Sequence, residues 1–114
     1  MPKTVLIELD KARRLKYDIN AFAAIEEALG TSLGQAFRSP GLREIRALLW
    51  AGLRWEDRKL TLEGAGDIIQ TYLENGGDLD KLTDAMREAL EGSGLIGPTD
   101  RMDTEGNGEA EAAT

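Results

Sequence analysis

The stretch Leu-Arg-Glu-Ile-Arg-Ala-Leu-Leu-Trp-Ala-Gly-Leu-Arg-Trp, residues 42–55, decides the fold because its apolar residues recur at helical spacing. Four of them form one stripe: Leu42, Ile45, Leu49 and Leu53. Leu48 and Gly52 lie beside this stripe and widen the apolar surface. Ser39 before the stretch is a favourable N-cap, and Pro40 suits a first helical turn. The sequence therefore predicts a central helix over about residues 41–55.

Upstream of this helix the apolar pattern has the period of a β-strand. Val5, Ile7 and Leu9 alternate with other residues, and after the polar run 10–13 the alternation resumes at Leu15 and continues at two further apolar positions, Tyr17 and Ile19. The sequence predicts a β-hairpin over residues 4–19 with one apolar face. An isolated hairpin is marginally stable in water, so this face must pack on helices.

Three more helices are predicted from apolar spacing and from their caps. Asn20 is a suitable N-cap for a helix over about 20–29, Thr61 for one over 62–74, and Asp78 for one over 78–91. Thr31 to Phe37 is expected to be a short helical turn or a loop. The predicted fold class is α+β, mostly α, with an N-terminal hairpin packed on a bundle of about four helices. Residues 1–97 are expected to form a single globular domain.

Composition excludes many kinds of catalytic chemistry. The 114 residues include no cysteine and no histidine, so no thiolate nucleophile, histidine base or Cys/His zinc site is available. The formal charge is −7 and is unevenly distributed: residues 1–60 carry +3 and residues 61–114 carry −10. Residues 98–114 are acidic and poor in large apolar side chains, which predicts a disordered acidic tail.

Short motifs give no support for an enzyme, a cofactor site or a metal site. Residues 92–97 match the pattern G-x-G-x-x-G, but a helix precedes them and Pro98 follows, unlike a dinucleotide-binding unit. Asp78 and Asp80 begin like a calcium loop, yet the later ligand positions are occupied by Leu82 and Thr83. The paired carboxylates are expected to be solvated. We therefore expect no catalytic residue, no cofactor and no bound metal.

The most informative side chains for binding lie on the predicted helix 41–55. Trp50 lies roughly 110° from the leucine stripe, with Arg46 and Arg54 one turn away on either side. An aromatic ring between two arginines can stack with planar and cationic groups and is typical of binding hot spots. Trp55, near the end of the helix, completes the candidate partner-binding set. The alternative is that Trp50 packs under the hairpin or the first helix, with the arginines lying over it.

Three segments occur in this order along the chain: Phe-Ala-Ala-Ile-Glu-Glu-Ala-Leu-Gly (22–30), Leu-Arg-Glu-Ile-Arg-Ala-Leu-Leu-Trp-Ala-Gly-Leu (42–53) and Leu-Thr-Leu-Glu-Gly-Ala-Gly-Asp-Ile-Ile (60–69). Together they resemble the small tail assembly chaperone family of tailed bacteriophages and gene transfer agents, also labelled a phage tail tube protein family. The Leu-Leu-Trp-Ala-Gly-Leu run is the most distinctive. The resemblance extends over about residues 4–90.

This resemblance implies a non-enzymatic role in virion morphogenesis. A member of the family is expected to bind the tape-measure protein and to recruit tail-tube subunits during tail assembly. The protein is expected to be cytoplasmic, in the cytoplasm of the host cell if the chain is encoded by a phage or prophage. No nucleic-acid or membrane partner is expected, and the sequence leaves the formation of a homo-oligomer open.

Two other functions remain open from the sequence. The first is a structural tail protein, a tube or completion subunit, although tube subunits are usually β-rich. The second is a small helical regulator that binds nucleic acid, for which Arg43, Arg46 and Arg54 on helix 41–55 are the candidate contacts. The acidic second half of the chain disfavours the regulator, because it would repel phosphate groups.

Overall fold

The computed structural model describes residues 3–38 and 40–94. Within these residues the element order is β1 (Val5–Glu8), β2 (Ala12–Leu15), α1 (Ile19–Leu29), α2 (Leu33–Arg38), α3 (Leu42–Leu53), α4 (Leu62–Glu74) and α5 (Leu79–Glu91). The predicted class is confirmed: a hairpin of two strands precedes a mostly helical body. The predicted acidic tail, 98–114, lies outside the described residues, as does the second half of the glycine motif at 92–97.

The second strand of the hairpin begins and ends earlier in the sequence than the apolar alternation predicted. The antiparallel strands pair Val5 with Leu15 and Glu8 with Ala12, so β2 begins at Ala12 and ends at Leu15. The predicted turn at residues 10–13 was therefore wrong by two residues. The start of β2 was not predicted because Arg13, a charged residue, occupies the inward position opposite Ile7 and interrupts the apolar alternation.

The start of α1 also differs from the prediction. Its N-cap is Asp18, not Asn20, and the Asp18 carboxylate accepts a hydrogen bond from the Ala21 amide at 2.9 Å. Residue 19 is consequently the first residue of α1, and Ile19 is 63% exposed instead of facing the core from the hairpin. The local hydrogen bond to the Asp18 cap favours a helix from residue 19, although apolar alternation alone predicted that the strand continues to this residue.

The third helix begins after a glycine. Gly41 is the N-cap, and its amide donates to the Glu44 carboxylate at 2.9 Å, so the expectation of Pro40 in the first helical turn was wrong. The predicted cap Ser39 lies outside the described residues. The helix ends at Leu53 instead of residue 55, with Arg54 as its C-cap. Thr61 and Asp78 cap α4 and α5 as predicted.

A single hydrophobic core joins the described elements around α3. This helix packs against α1, α4, α5 and β2, and seven of its residues are buried. Three members of the predicted stripe are buried, but Leu42 at its start is 67% exposed. None of the described helices is both long enough and apolar enough to cross a bilayer.

The hairpin is fixed to α3 through Tyr17 and Gly52. The fully buried Tyr17 hydroxyl donates to the Leu48 carbonyl at 2.6 Å, and the Lys16 amide donates to the Gly52 carbonyl at 3.0 Å. A Cβ atom on Gly52 would lie only 2.7 Å from the Tyr17 ring. The absence of a side chain at position 52 therefore allows the close approach of hairpin and helix.

Candidate functional site

The two tryptophans at the end of α3 are held by their indole N–H groups. Trp50, half-buried, donates from Nε1 to the Leu60 carbonyl at 2.9 Å and so ties α3 to the loop before α4. Trp55 donates from Nε1 to the Arg14 carbonyl at 3.0 Å and ties the same end of α3 to the hairpin. Each ring therefore has a fixed orientation while part of its surface stays accessible.

A cation lies over each indole ring. The Arg54 guanidinium carbon lies 4.7 Å from the centre of the Trp50 ring, and the Lys16 ammonium lies 4.8 Å from the Trp55 ring. Stacking restricts the long side chain of Arg54 while leaving the edge N–H groups of its guanidinium able to donate. These contacts pre-orient two positive groups at one end of α3.

A depression of about 170 Å³, here called the cationic cleft, lies beside the Trp55 ring. It opens between the end of β2, the start of α1, the end of α3 and the loop that follows α3. Its polar and aromatic lining consists of Lys16, Asp18, Asn20, Arg54, Trp55 and Arg58. Three of these side chains are cationic and one is anionic.

The charged side chains that line the cleft differ in whether they already have a hydrogen-bond or ion-pair partner. The Asp18 carboxylate already caps α1. By contrast, no ion pair engages Lys16, Arg54 or Arg58 among the described residues. The cleft is therefore lined by three cations without an ion pair in the described part of the chain and by a single carboxylate that already accepts a hydrogen bond. The cleft is suited to bind carboxylate or other anionic groups.

The structure brings three of the four residues predicted for partner binding together, as the pairs Trp50–Arg54 and Arg54–Trp55. Arg54 belongs to both, since it stacks on Trp50 and lines the cationic cleft beside Trp55. Arg46 lies apart: its Cδ is 3.3 Å from the position that a Cβ on Gly66 would occupy, so its stem covers α4. The resulting surface, here called the tryptophan strip, comprises Trp50, Arg54 and Trp55.

The resolved pKa shifts belong to structural contacts outside the cleft. Burial raises the pKa of the Tyr17 hydroxyl well above its ordinary value. The hydrogen bond from Arg13 lowers the pKa of Asp10, against a smaller opposing effect of burial. Arg13 also lies 3.7 Å from Asp57, so it connects the hairpin turn to the loop after α3. These groups stabilise the hairpin and the loop after α3, which border the site.

Lys16, Asn20 and Arg58 were not among the predicted site residues. They come from separate segments, and each looks like an ordinary exposed polar residue in the sequence. The nearest available signal was the run Asp57-Arg58-Lys59, which reads as a hydrophilic loop. Within residues 3–38 and 40–94, no three acidic side chains are grouped as a metal site would require.

Comparison with known proteins provides no relative from which to transfer a function. No protein-family model, curated protein or solved structure matches the chain. The geometry of the tryptophan strip, the cationic cleft and the sequence resemblance are therefore the grounds for assigning a role.

Proposed function

We propose that this protein is a phage-type tail assembly chaperone that binds the tape-measure protein and recruits tail-tube subunits during tail morphogenesis. The role is non-enzymatic and is carried out in the host cytoplasm. The proposal is supported by the resemblance over about residues 4–90 and, above all, by one observation: Arg54 is stacked on Trp50 at the accessible end of α3.

The tryptophan strip offers a partner a rigid, partly apolar surface. Both indole rings are fixed by hydrogen bonds to carbonyl groups, so little side-chain entropy is lost when a partner covers them. Ile19, 63% exposed, adds an apolar group at the start of α1, between Asp18 and Asn20, two residues that line the cleft. An apolar helix of a client can bind such a surface, as in helix-in-groove recognition.

The uneven charge suits the same role. The described part of the second half, α4 and α5, carries many exposed carboxylates, whereas the tryptophan strip lies on the slightly basic first half. Acidic surfaces repel one another, so a complex in which the strip covers the client presents its acidic side outwards. This arrangement keeps an apolar tape-measure protein from aggregating.

Co-purification with a tape-measure protein encoded beside this chain tests the proposal. Arg54→Glu should lower the retained client by about tenfold, equivalent to about 1.4 kcal/mol of binding free energy. Lys81→Glu makes the same charge change at an exposed position on α5 and should retain the client. Equal loss in both variants, or no binding by the parent chain, would contradict the chaperone role.

Proteomics of purified particles separates this function from that of a structural tail protein. A chaperone of this type is expected during assembly and is not expected in the finished tail. Tail-tube subunits from the same particles provide the reference for a stoichiometric component. Copies of this chain comparable in number to the tube subunits would favour a tube or completion protein instead.

A further inference from the structure

The cationic cleft lies close to the point where the described chain ends. The Lys3 amide donates to the Gly92 carbonyl at 3.1 Å, which fixes the end of α5 to the start of the hairpin. Because Val5 pairs with Leu15, the residues before Val5 and after Leu15 lie at the same end of the hairpin. Lys16, which lines the cleft, is therefore near the exit of α5.

The segment that follows this exit has the complementary charge. Residues 95–114 contain five acidic residues and one basic residue. Three of the acidic residues are close together at its beginning: Asp100, Asp103 and Glu105. A segment of six residues after Gly94 spans up to about 20 Å and one of eleven up to about 40 Å, so the three carboxylates can lie up to these distances from the end of α5.

The charges around α5 direct this segment towards the cleft. Residues 61–94 contain eight acidic and two basic residues, so they repel an acidic segment. The cleft instead presents three cations that have no ion pair among the described residues. Attachment through the chain gives the segment a high effective concentration at a nearby site.

We infer that the cationic cleft binds the chain's own acidic segment, with carboxylates of residues 100–105 paired to Lys16, Arg54 and Arg58. Arg54 is pre-oriented for this by its contact with Trp50. This contact involves the chain alone and requires no client.

A spin label on the segment tests this contact directly. The chain has no cysteine, so Thr104→Cys provides a unique attachment site in the full-length protein. In the isotope-labelled protein, amide signals of Lys16, Asn20 and Arg58 and the Trp55 indole signal should broaden and lose intensity. The loss should disappear at roughly 1 M salt, where the screening length is about 3 Å.

Two neighbouring charge reversals provide a matched comparison. Arg58→Glu changes the cleft lining and should abolish the broadening, whereas Lys59→Glu changes an exposed residue outside that lining and should preserve it. Both positions are exposed, and dispersed amide spectra show that each variant is folded. Broadening that Arg58→Glu leaves unchanged, or that centres on α4 and α5, would overturn the inference.

Mixing experiments decide between contact within one chain and contact between copies. Spin-labelled protein without isotopes is mixed with isotope-labelled protein that carries no spin label. Absence of broadening supports contact within one chain, while broadening in the mixture overturns it in favour of a second copy. Client co-purification is measured separately, so failure of this contact and failure of the chaperone role give different results.

Discussion

At Gly52 the hairpin and α3 approach each other too closely for a side chain at that position. An added Cβ would lie 2.7 Å from both the ring and the hydroxyl oxygen of Tyr17 and 3.0 Å from a methyl carbon of Leu15. Tyr17 and Leu15 are both fully buried, so neither can move aside without disturbing the core. The requirement for glycine is thus steric and arises from neighbours distant in the sequence.

Gly52→Ala should lower the free energy of unfolding by about 1–3 kcal/mol, because overpacking outweighs the better helix propensity of alanine. Urea denaturation followed by circular dichroism measures the change. Gly34→Ala is the matched control, since Gly34 is also helical and a Cβ there meets no atom within 4 Å. Gly34→Ala should be neutral or slightly stabilising; similar losses in both variants would contradict the steric explanation.

Tyr17 gives the stability a dependence on alkaline pH. Its pKa is raised in the folded protein by burial, so the folded state keeps the phenolic proton that the unfolded state loses above its ordinary pKa of about 10. The unfolded state then binds fewer protons, and stability falls as pH rises. The decrease from this group reaches up to about 1.4 kcal/mol per pH unit above pH 10.

Tyr17→Phe tests this linkage. At pH 7 the variant should be less stable by about 1 kcal/mol, because the hydrogen bond to the Leu48 carbonyl is lost. Above pH 10 the difference should shrink, since phenylalanine has no proton to lose. Urea denaturation of both proteins from pH 7 to 11 measures the difference. A constant difference over this range would show that the burial of Tyr17 does not govern the alkaline loss.

Among the elements, the loop between α3 and α4 depends on one side chain from the helix before it. Trp50 Nε1 donates to the Leu60 carbonyl, and the Leu60 amide donates to the Asp57 carbonyl at 3.1 Å. Trp55 makes a corresponding contact with the hairpin, at the Arg14 carbonyl. The end of α3 thus fixes both of its neighbours through indole N–H groups.

Trp50→Phe keeps an aromatic ring and removes the donor, so we expect a loss of about 1 kcal/mol in stability. The Leu60 amide should exchange faster with solvent, because local opening of the loop becomes easier. Hydrogen exchange measured by NMR reports the rates at the Leu60 and Lys16 amides. Trp55→Phe should accelerate exchange at the Lys16 amide instead. Identical exchange patterns in the two variants would contradict the conclusion that Trp50 fixes the loop and Trp55 fixes the hairpin.

At the scale of the whole molecule, the features predicted correctly from the sequence are those that local interactions determine, such as helix caps and the hairpin. Thr61 and Asp78 cap helices because each side chain bonds to an amide within its own first turn, Gly64 and Asp80 respectively. The hairpin and its place before a helical body also follow from residue spacing. The cap of α1 was predicted at the wrong residue: Asn20 has a suitable side chain, but Asp18 is the residue whose carboxylate accepts a hydrogen bond from the Ala21 amide.

The cleft could not be predicted in the same way. Lys16, Asn20 and Arg58 become neighbours only when the hairpin, α1 and the loop after α3 pack together. The identification of Trp50, Arg54 and Trp55 as binding residues stays a prediction, while their accessibility and contacts are now described. Arg46 shares the face of Trp50 by helical spacing, yet its stem packs towards Gly66 on α4. Helical spacing alone did not reveal that neighbour.

The contact between Tyr17 and Gly52 also limits how homologous proteins can diverge. A side chain at position 52 becomes acceptable only after position 17 has lost volume, so the order of substitutions matters. Lineages that retain a tyrosine at 17 should retain glycine at 52, and exchanges at the two sites should appear together. This pair would therefore give a strong covariation signal between the hairpin and α3, even in chains whose surfaces have diverged.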